Sequence, residues 1–293
     1  MESDMALKSI FVPFFEEKSA ETAFRTAIAL AKEGKAHISA VHMRSRPLPP
    51  TNVYFPLGGV STEFTEGLQK AEDALAEKLK GIFSALCDES GVSVMALEEH
   101  KDDHGVTASW TDGEGDLLTD YARLATAFDM SVVAAAGDDA SPMEESIAES
   151  LLFQTGRPVL MCPETGLPDP LEKISVAWNG SQEAARAVAA ALPFLQGAET
   201  VNVVSVRRTG EPFINTDDIT AYLRLHGAGA VANEIEVTGN ENATERLDAE
   251  IREGKPDLLV MGAYSHSRWR EAVLGGFTRH MIHEAKMPVF MVH

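Results

Sequence analysis

Cysteine is nearly absent from these 293 residues: Cys87 and Cys162 are the only two. They stand far apart and form no metal-binding or redox pattern, so neither a disulfide scaffold nor a thiolate metal centre is expected. Basic residues are also scarce, 25 against 45 acidic ones, for a net charge of −20. That balance argues against nucleic acid and anionic membrane surfaces as general partners. Long apolar runs are missing too, and none approaches the ~18 residues of a membrane span. The opening Met1-Glu2-Ser3-Asp4-Met5 is acidic, without the basic start and apolar core of a secretory leader. A cytoplasmic protein is expected.

What is present is a repeat. Ile10-Phe11-Val12-Pro13-Phe14 and Ile174-Ser175-Val176-Ala177-Trp178 are short apolar strands, each leading into an alanine-rich segment. Ala20 and Ala23 follow Val12 at the offsets by which Ala184 and Ala187 follow Val176. At the other ends, Arg157-Pro158-Val159-Leu160-Met161-Cys162 matches Met287-Pro288-Val289-Phe290-Met291-Val292. Proline suits the start of a strand, where its missing N–H is not needed. Between the copies, residues 163–170 are a linker by composition.

Periodicity in the second copy predicts strands over 173–178, 200–206, 230–237, 257–262 and 288–292. Helices are predicted over 181–195, 215–227, 242–253 and 276–285. The first copy is predicted to hold strands over 8–14, 36–43, 92–98, 131–136 and 158–162, with a helix over 66–88. Arg44 to Gly67 reads as a long loop. Alternation of strand and helix implies a parallel sheet covered on both faces. Ligands of such sheets bind beyond the C-terminal strand ends, where strand order reverses. In the second copy that rim holds Ala177, Trp178 and Asn179, then Val206, then Gly262 to Ser265.

The strongest local signal lies at this rim. Leu258 to Met261 reads as a buried strand. Gly262-Ala263-Tyr264-Ser265 follows, then His266 to Leu274, then Gly275-Gly276-Phe277-Thr278-Arg279 opening a helix. Glycines allow close backbone approach, and a helix N-terminus offers free N–H groups to an anion. The rim therefore suits phosphate. Of the cations between the glycines, Arg268 is the best phosphate partner.

These residues resemble the universal stress protein family, in its bacterial tandem type. The family's nucleotide loop runs Gly, two residues, Gly, nine residues, Gly, then Ser or Thr. Here it is matched by Gly262, Ser265, Gly275, Gly276 and, two positions on, Thr278. Ala177-Trp178-Asn179-Gly180-Ser181 fits the family's first strand and turn, with Asn179 where Asp is usual. The resemblance implies two tandem doubly wound α/β domains, each with a five-stranded parallel sheet of the adenine nucleotide alpha hydrolase-like kind. They would span residues 1–163 and 171–293. It also implies ATP or a related adenine nucleotide, with Mg²⁺ as its companion. Ala177 and Asn179 would lie near adenine and ribose, beside Trp178. Val206 would offer backbone groups to the base. Gly262, Ser265, Gly275, Gly276, Phe277 and Thr278 would surround the phosphates. The last strands of the two copies are expected to pair as an internal pseudo-dimer, and association of two chains is left open.

The first copy departs from the pattern. Glu145 and Ser146 stand opposite Gly275 and Gly276, and Asp138, Asp139, Glu144 and Glu145 crowd the stretch where phosphate would sit. Phe15 and Glu16 replace the polar turn after strand one. This copy is expected not to bind nucleotide. Glu98 to His104 carries two histidines, but on a loop, so no metal site is expected. No catalytic constellation emerges, and no lysine follows the loop as in a Walker motif, so at most slow ATP hydrolysis is expected. The alternative is a nucleotide-free interaction module of the same fold.

Overall fold

The computed structural model describes residues 7–45, 62–135, 141–210, 214–239, 241–264 and 276–293. Its first half runs β1 (Ser9–Pro13), α1 (Glu17–Gly34), β2 (His37–Ser45), α2 (Thr62–Ser90), β3 (Ser93–Val94), β4 (Thr107–Gly115), α3 (Leu117–Ala125), β5 (Met130–Ala134), α4 (Pro142–Gln154) and β6 (Val159–Cys162). The second half runs β7 (Lys173–Ala177), α5 (Gln182–Gly197), β8 (Thr200–Arg208), α6 (Thr216–Leu225), β9 (Ala230–Val237), α7 (Ala243–Gly254), β10 (Leu258–Gly262), α8 (Gly276–Glu284) and β11 (Val289–Val292).

One 11-stranded sheet carries both halves, in the order β3-β4-β2-β1-β5-β6-β11-β10-β7-β8-β9. Neighbours are parallel throughout except at the centre, where β6 and β11 pair antiparallel, Leu160 facing Phe290. The expected pairing of the last strands is therefore present within one chain. Each half is doubly wound, reversing its order at its first strand. Along β1 the side chains alternate: Ile10 and Val12 join the apolar layer under α1 and α2, while Phe11 joins the layer under α3 and α4.

A polar detail repeats with the fold. Asp129 Oδ2 accepts the N–H groups of Lys8 and Ser9, both at 2.9 Å. Asp257 Oδ2 accepts those of Glu172 and Lys173, at 2.9 and 2.8 Å. In both halves the carboxylate just before the strand that pairs with the first, β5 or β10, satisfies the free amides at the start of the first.

Three expectations are corrected in the first half. The strand predicted over 92–98 shrinks to Ser93–Val94, and the third long strand is β4, held to β2 from Thr107 to Gly115. Its sequence, Thr-Ala-Ser-Trp-Thr-Asp-Gly-Glu-Gly, lacks a continuous apolar face, so its place is set by pairing rather than by pattern. The helix predicted over 66–88 begins at Thr62, shortening the loop predicted from Arg44, whose residues 46–61 lie outside the described ones. The segment Glu98 to His104 forms two 3-10 turns, Leu97–Glu99 and Asp102–His104. Among the described residues no three metal-ligating side chains gather, and no helix is long and apolar enough to cross a membrane.

Candidate functional site

The order reverses at β7, which lies between β8 and β10. Beyond its end, Trp178 is bound on both backbone atoms: its N–H donates to the Val204 carbonyl at 2.8 Å, and its carbonyl accepts from Ser205 Oγ at 2.8 Å. Asn179 follows, 8% exposed. Its Oδ1 accepts the Ser181 N–H at 3.0 Å, and Ser181 Oγ caps α5 by accepting the Ala184 N–H at 3.1 Å. Asn179 Nδ2 and Trp178 Nε1 are buried yet find no partner among the described residues. Buried donors left unpaired are costly, and here the described residues supply neither with an acceptor.

β7 pairs with β8 only as far as Ala177 and Val204. Val206, two residues on, gets no ladder partner from β7. On the other side of the crevice, Gly262 ends β10. A Cβ there would fall 2.3 Å from the Ala184 nitrogen, so glycine is required for α5 to dock. Tyr264 takes a left-handed backbone, φ 48°, and donates its N–H to Thr278 Oγ1 at 3.3 Å.

The residues singled out in the sequence thus separate. Trp178, Asn179 and Val206 lie at the C-terminal ends of β7 and β8, where Ser205 bonds Trp178. Ala177 is 2% exposed and belongs to the core beneath. Gly262 meets the first turn of α5. Gly276 opens α8, while Phe277 and Thr278 are 0% exposed, Phe277 as core packing and Thr278 against Tyr264. Ser265, Arg268 and Gly275 lie outside the described residues, as do Asp138 and Asp139 of the first copy.

The same places in the first half are filled. Val12 pairs with Ala40 as Val176 pairs with Val203, which sets Phe14 opposite Trp178 and Met43 opposite Val206. There Tyr121, fully buried, accepts the Met43 N–H at 3.2 Å and donates to the Phe14 carbonyl at 3.1 Å. Burial drives its phenol well above the ordinary range. Its helix, α3, has no matching tyrosine in α7, whose buried residues are Ala243, Leu247 and Ile251. At the helix ends, Glu16 Oε1 accepts from Ser141 Oγ at 2.7 Å, joining the N-termini of α1 and α4. Ser141 and Glu144 complete a capping box, and burial raises the Glu144 carboxyl. Glu145 turns away to His283 of α8, at 2.6 Å.

Residues 170–293 match the model of the universal stress protein family. The second half is a universal stress protein domain. A universal stress protein from Archaeoglobus fulgidus DSM 4304 shares the fold over the full chain, with a TM-score of 0.64 at 15% identity, covering 97% of this chain and 95% of that one. A functionally unknown protein from Pseudomonas aeruginosa PAO1 gives 0.56 at 17% identity, covering 98% and 93%. At such identities the likeness concerns the fold. No curated protein matches. The universal stress protein domain thus sits beside a half of the same fold.

Sequence reasoning passed over Tyr121, Tyr264, Glu149 and Phe153. The last two lie on α4 of the first half and meet Tyr264 across the seam: Tyr264 Oη donates to Glu149 Oε1 at 3.1 Å, and the Phe153 and Tyr264 rings lie 4.6 Å apart. Burial, then the Glu149 charge, raises the Tyr264 phenol, while Arg279 pulls it the other way. Only the position of Tyr264 between Gly262 and the loop hinted at a role.

Proposed function

We propose that this protein is a cytoplasmic stress-response regulator that binds ATP or a related adenine nucleotide in its second half, with Mg²⁺ accompanying the phosphates. The chain then divides into a closed copy, residues 1–163, and a ligand-binding copy, residues 171–293. The observation that carries this reading is the contrast between equivalent places. Tyr121 ties the Phe14 carbonyl to the Met43 N–H, whereas among the described residues the Trp178 carbonyl takes Ser205 Oγ, no side chain bridges Trp178 to Val206, and Asn179 Nδ2 is left unpaired.

In this reading the backbone of Val206 meets the base, and Asn179 takes a ribose hydroxyl as acceptor for its free amide. The glycine-rich loop and the first turn of α8 hold the phosphates. Nothing in the loop supplies a Walker lysine, so the role is sensing rather than turnover. The test is ATP binding to the full chain and to Gly275→Glu, which copies the first half. Binding lost in the variant supports the site; equal affinity removes it.

A second reading, a nucleotide-free interaction module, is favoured by two internal contacts. Gly262 is filled by α5, and Thr278 Oγ1 is taken by Tyr264. Neither group is then free for phosphate. Purified protein that neither carries nor takes up nucleotide favours this reading.

A further inference from the structure

Ser109 of β4 is hydrogen-bonded to a buried histidine and opens on a groove of the first half. β2 and β4 run parallel, His37 beside Thr107 and Ser39 beside Ser109, so these four residues share one face of the sheet near its strand starts. The crevice of this half lies at the other end of the same strands. His37 Nε2 is 2.9 Å from Ser109 Oγ, and Ser39 Oγ is 3.2 Å from the same oxygen. On its other side, His37 Nδ1 is 2.8 Å from Thr107 Oγ1, which is 2.8 Å from His100 Nδ1.

A hydroxyl has one proton, so Thr107 donates to one imidazole and accepts from the other. When His37 carries the Nδ1 proton, its Nε2 presents a bare lone pair to Ser109. Ser39 then donates to Ser109 Oγ, and the Ser109 proton points at His37. The reverse tautomer makes Nε2 a donor and idles the serine. His37 is 0% exposed, and burial, then His100, pushes its pKa down to about 4, with Glu98 pulling the other way. The imidazole is therefore neutral at ordinary pH and able to accept a proton.

Ser109 is only partly buried. With Ser39 it lines a groove of about 630 Å³ whose apolar walls include Phe11, Val41, Leu97, Leu124 and Phe128. Lys80 and Glu98 are the charged residues of its lining. The Met95 N–H reaches the Ala108 carbonyl where β3 leaves β4. Strand alternation then turns the next N–H on that side, at Trp110, toward the open edge beside Ser109.

We propose that Ser109 is a nucleophile for acyl transfer, with His37 as its base, acting on small esters whose acyl group is apolar. Thr107 and His100 are positioning residues, and the Trp110 N–H is the donor for the developing oxyanion. Ser109 Oγ bonds to the ester carbonyl carbon as its proton passes to His37 Nε2. The bond from that carbon to the alcohol oxygen then breaks, and the leaving oxygen takes the proton from His37. Water attacks the acyl-serine by the same route, releasing the carboxylic acid and returning the proton to Ser109. A base this weak makes turnover slow, so acylated Ser109 accumulates. None of these residues belongs to the nucleotide crevice, and each reading stands if the other falls.

The experiment treats the full chain with an alkyl fluorophosphonate, read by intact mass and peptide mapping, and with para-nitrophenyl butyrate, read as a burst of nitrophenol. An adduct on Ser109 is expected, absent in Ser109→Ala and kept in Ser93→Ala, a control on an exposed serine of β3. His37→Gln should slow labelling about a hundredfold, and Thr107→Val by less. Between about pH 6 and pH 8 the labelling rate should stay flat, because His37 is neutral throughout. Should His37→Gln fail to fold, the unaltered chain decides alone, by the place of its adduct and the flatness of its rate. No adduct on Ser109, labelling spread over exposed serines such as Ser93, a rate untouched in folded His37→Gln, or a rate climbing steadily with pH would overturn the proposal.

Discussion

The hydroxyl of Tyr121 donates to the carbonyl of Phe14 at 3.1 Å, although the two residues are 107 positions apart in the chain. This contact, with the Met43 N–H returned to the same oxygen, closes the crevice of the first half. Tyr121→Phe keeps the ring and removes both bonds. The buried Met43 N–H then has no acceptor, so the variant should lose about 1–3 kcal/mol of stability. Urea unfolding measures it; an unchanged midpoint would mean that water replaces the hydroxyl.

Glycine positions divide by what surrounds them. Gly262→Ala places a methyl 2.3 Å from the Ala184 nitrogen, so α5 must shift. A loss of about 1–3 kcal/mol is expected, together with nucleotide binding, because Ser181 and Asn179 move with the helix end. Gly81, inside α2, has nothing within 4 Å of an added Cβ. Gly81→Ala should stabilise by about 0.5–1 kcal/mol, the helix-propensity difference. Thermal unfolding of the pair separates docking from propensity.

A buried histidine sets an acid limit. His37 is fully buried, bonded to Thr107 Oγ1 at 2.8 Å and Ser109 Oγ at 2.9 Å. Burial first, then His100, pushes its pKa from 6.5 down to about 4. Between those values the unfolded chain holds a proton that the folded chain does not, so lowering the pH favours unfolding. The stability is whole above pH 6.5, falls as the pH drops toward 4, and levels below it. The loss amounts to about 3–4 kcal/mol at about 1.4 kcal/mol per unit. His37→Gln should flatten this slope in urea titrations at about pH 7 and pH 5.

Both thiols should be silent in the folded state. Cys87 is 1% exposed and Cys162 0%, and burial pushes each pKa up to about 11. A thiol reagent at about pH 8 should label neither until denaturant is added. Prompt labelling of one thiol in native buffer would show that its half opens locally.

The second half is legible in the sequence because its central strands are clean apolar runs bounded by turn residues. β10, Leu258–Gly262, and β11, Val289–Val292, are examples. The first half is harder to read. β4 carries Asp112, Gly113 and Glu114, and only its nine-residue pairing with β2 makes it a strand. The rim residues Trp178, Asn179 and Val206 follow from strand ends, a local property. The closure of the first crevice does not, since Tyr121 meets Phe14 and Met43 only once the sheet is assembled. Acidic side chains after β5 suggested repulsion, whereas Glu145 proves to be a tie to α8. Gly262 and Thr278 read as phosphate ligands by motif, and their neighbours in space are α5 and Tyr264.

The most direct measurement is the stoichiometry of ATP and Mg²⁺ on the full chain by calorimetry, adding any nucleotide released from a denatured sample. One equivalent per chain, lost in Gly275→Glu and kept in Tyr121→Phe, is the predicted result. No binding at all, or two equivalents per chain, would contradict a working second half beside a closed first one.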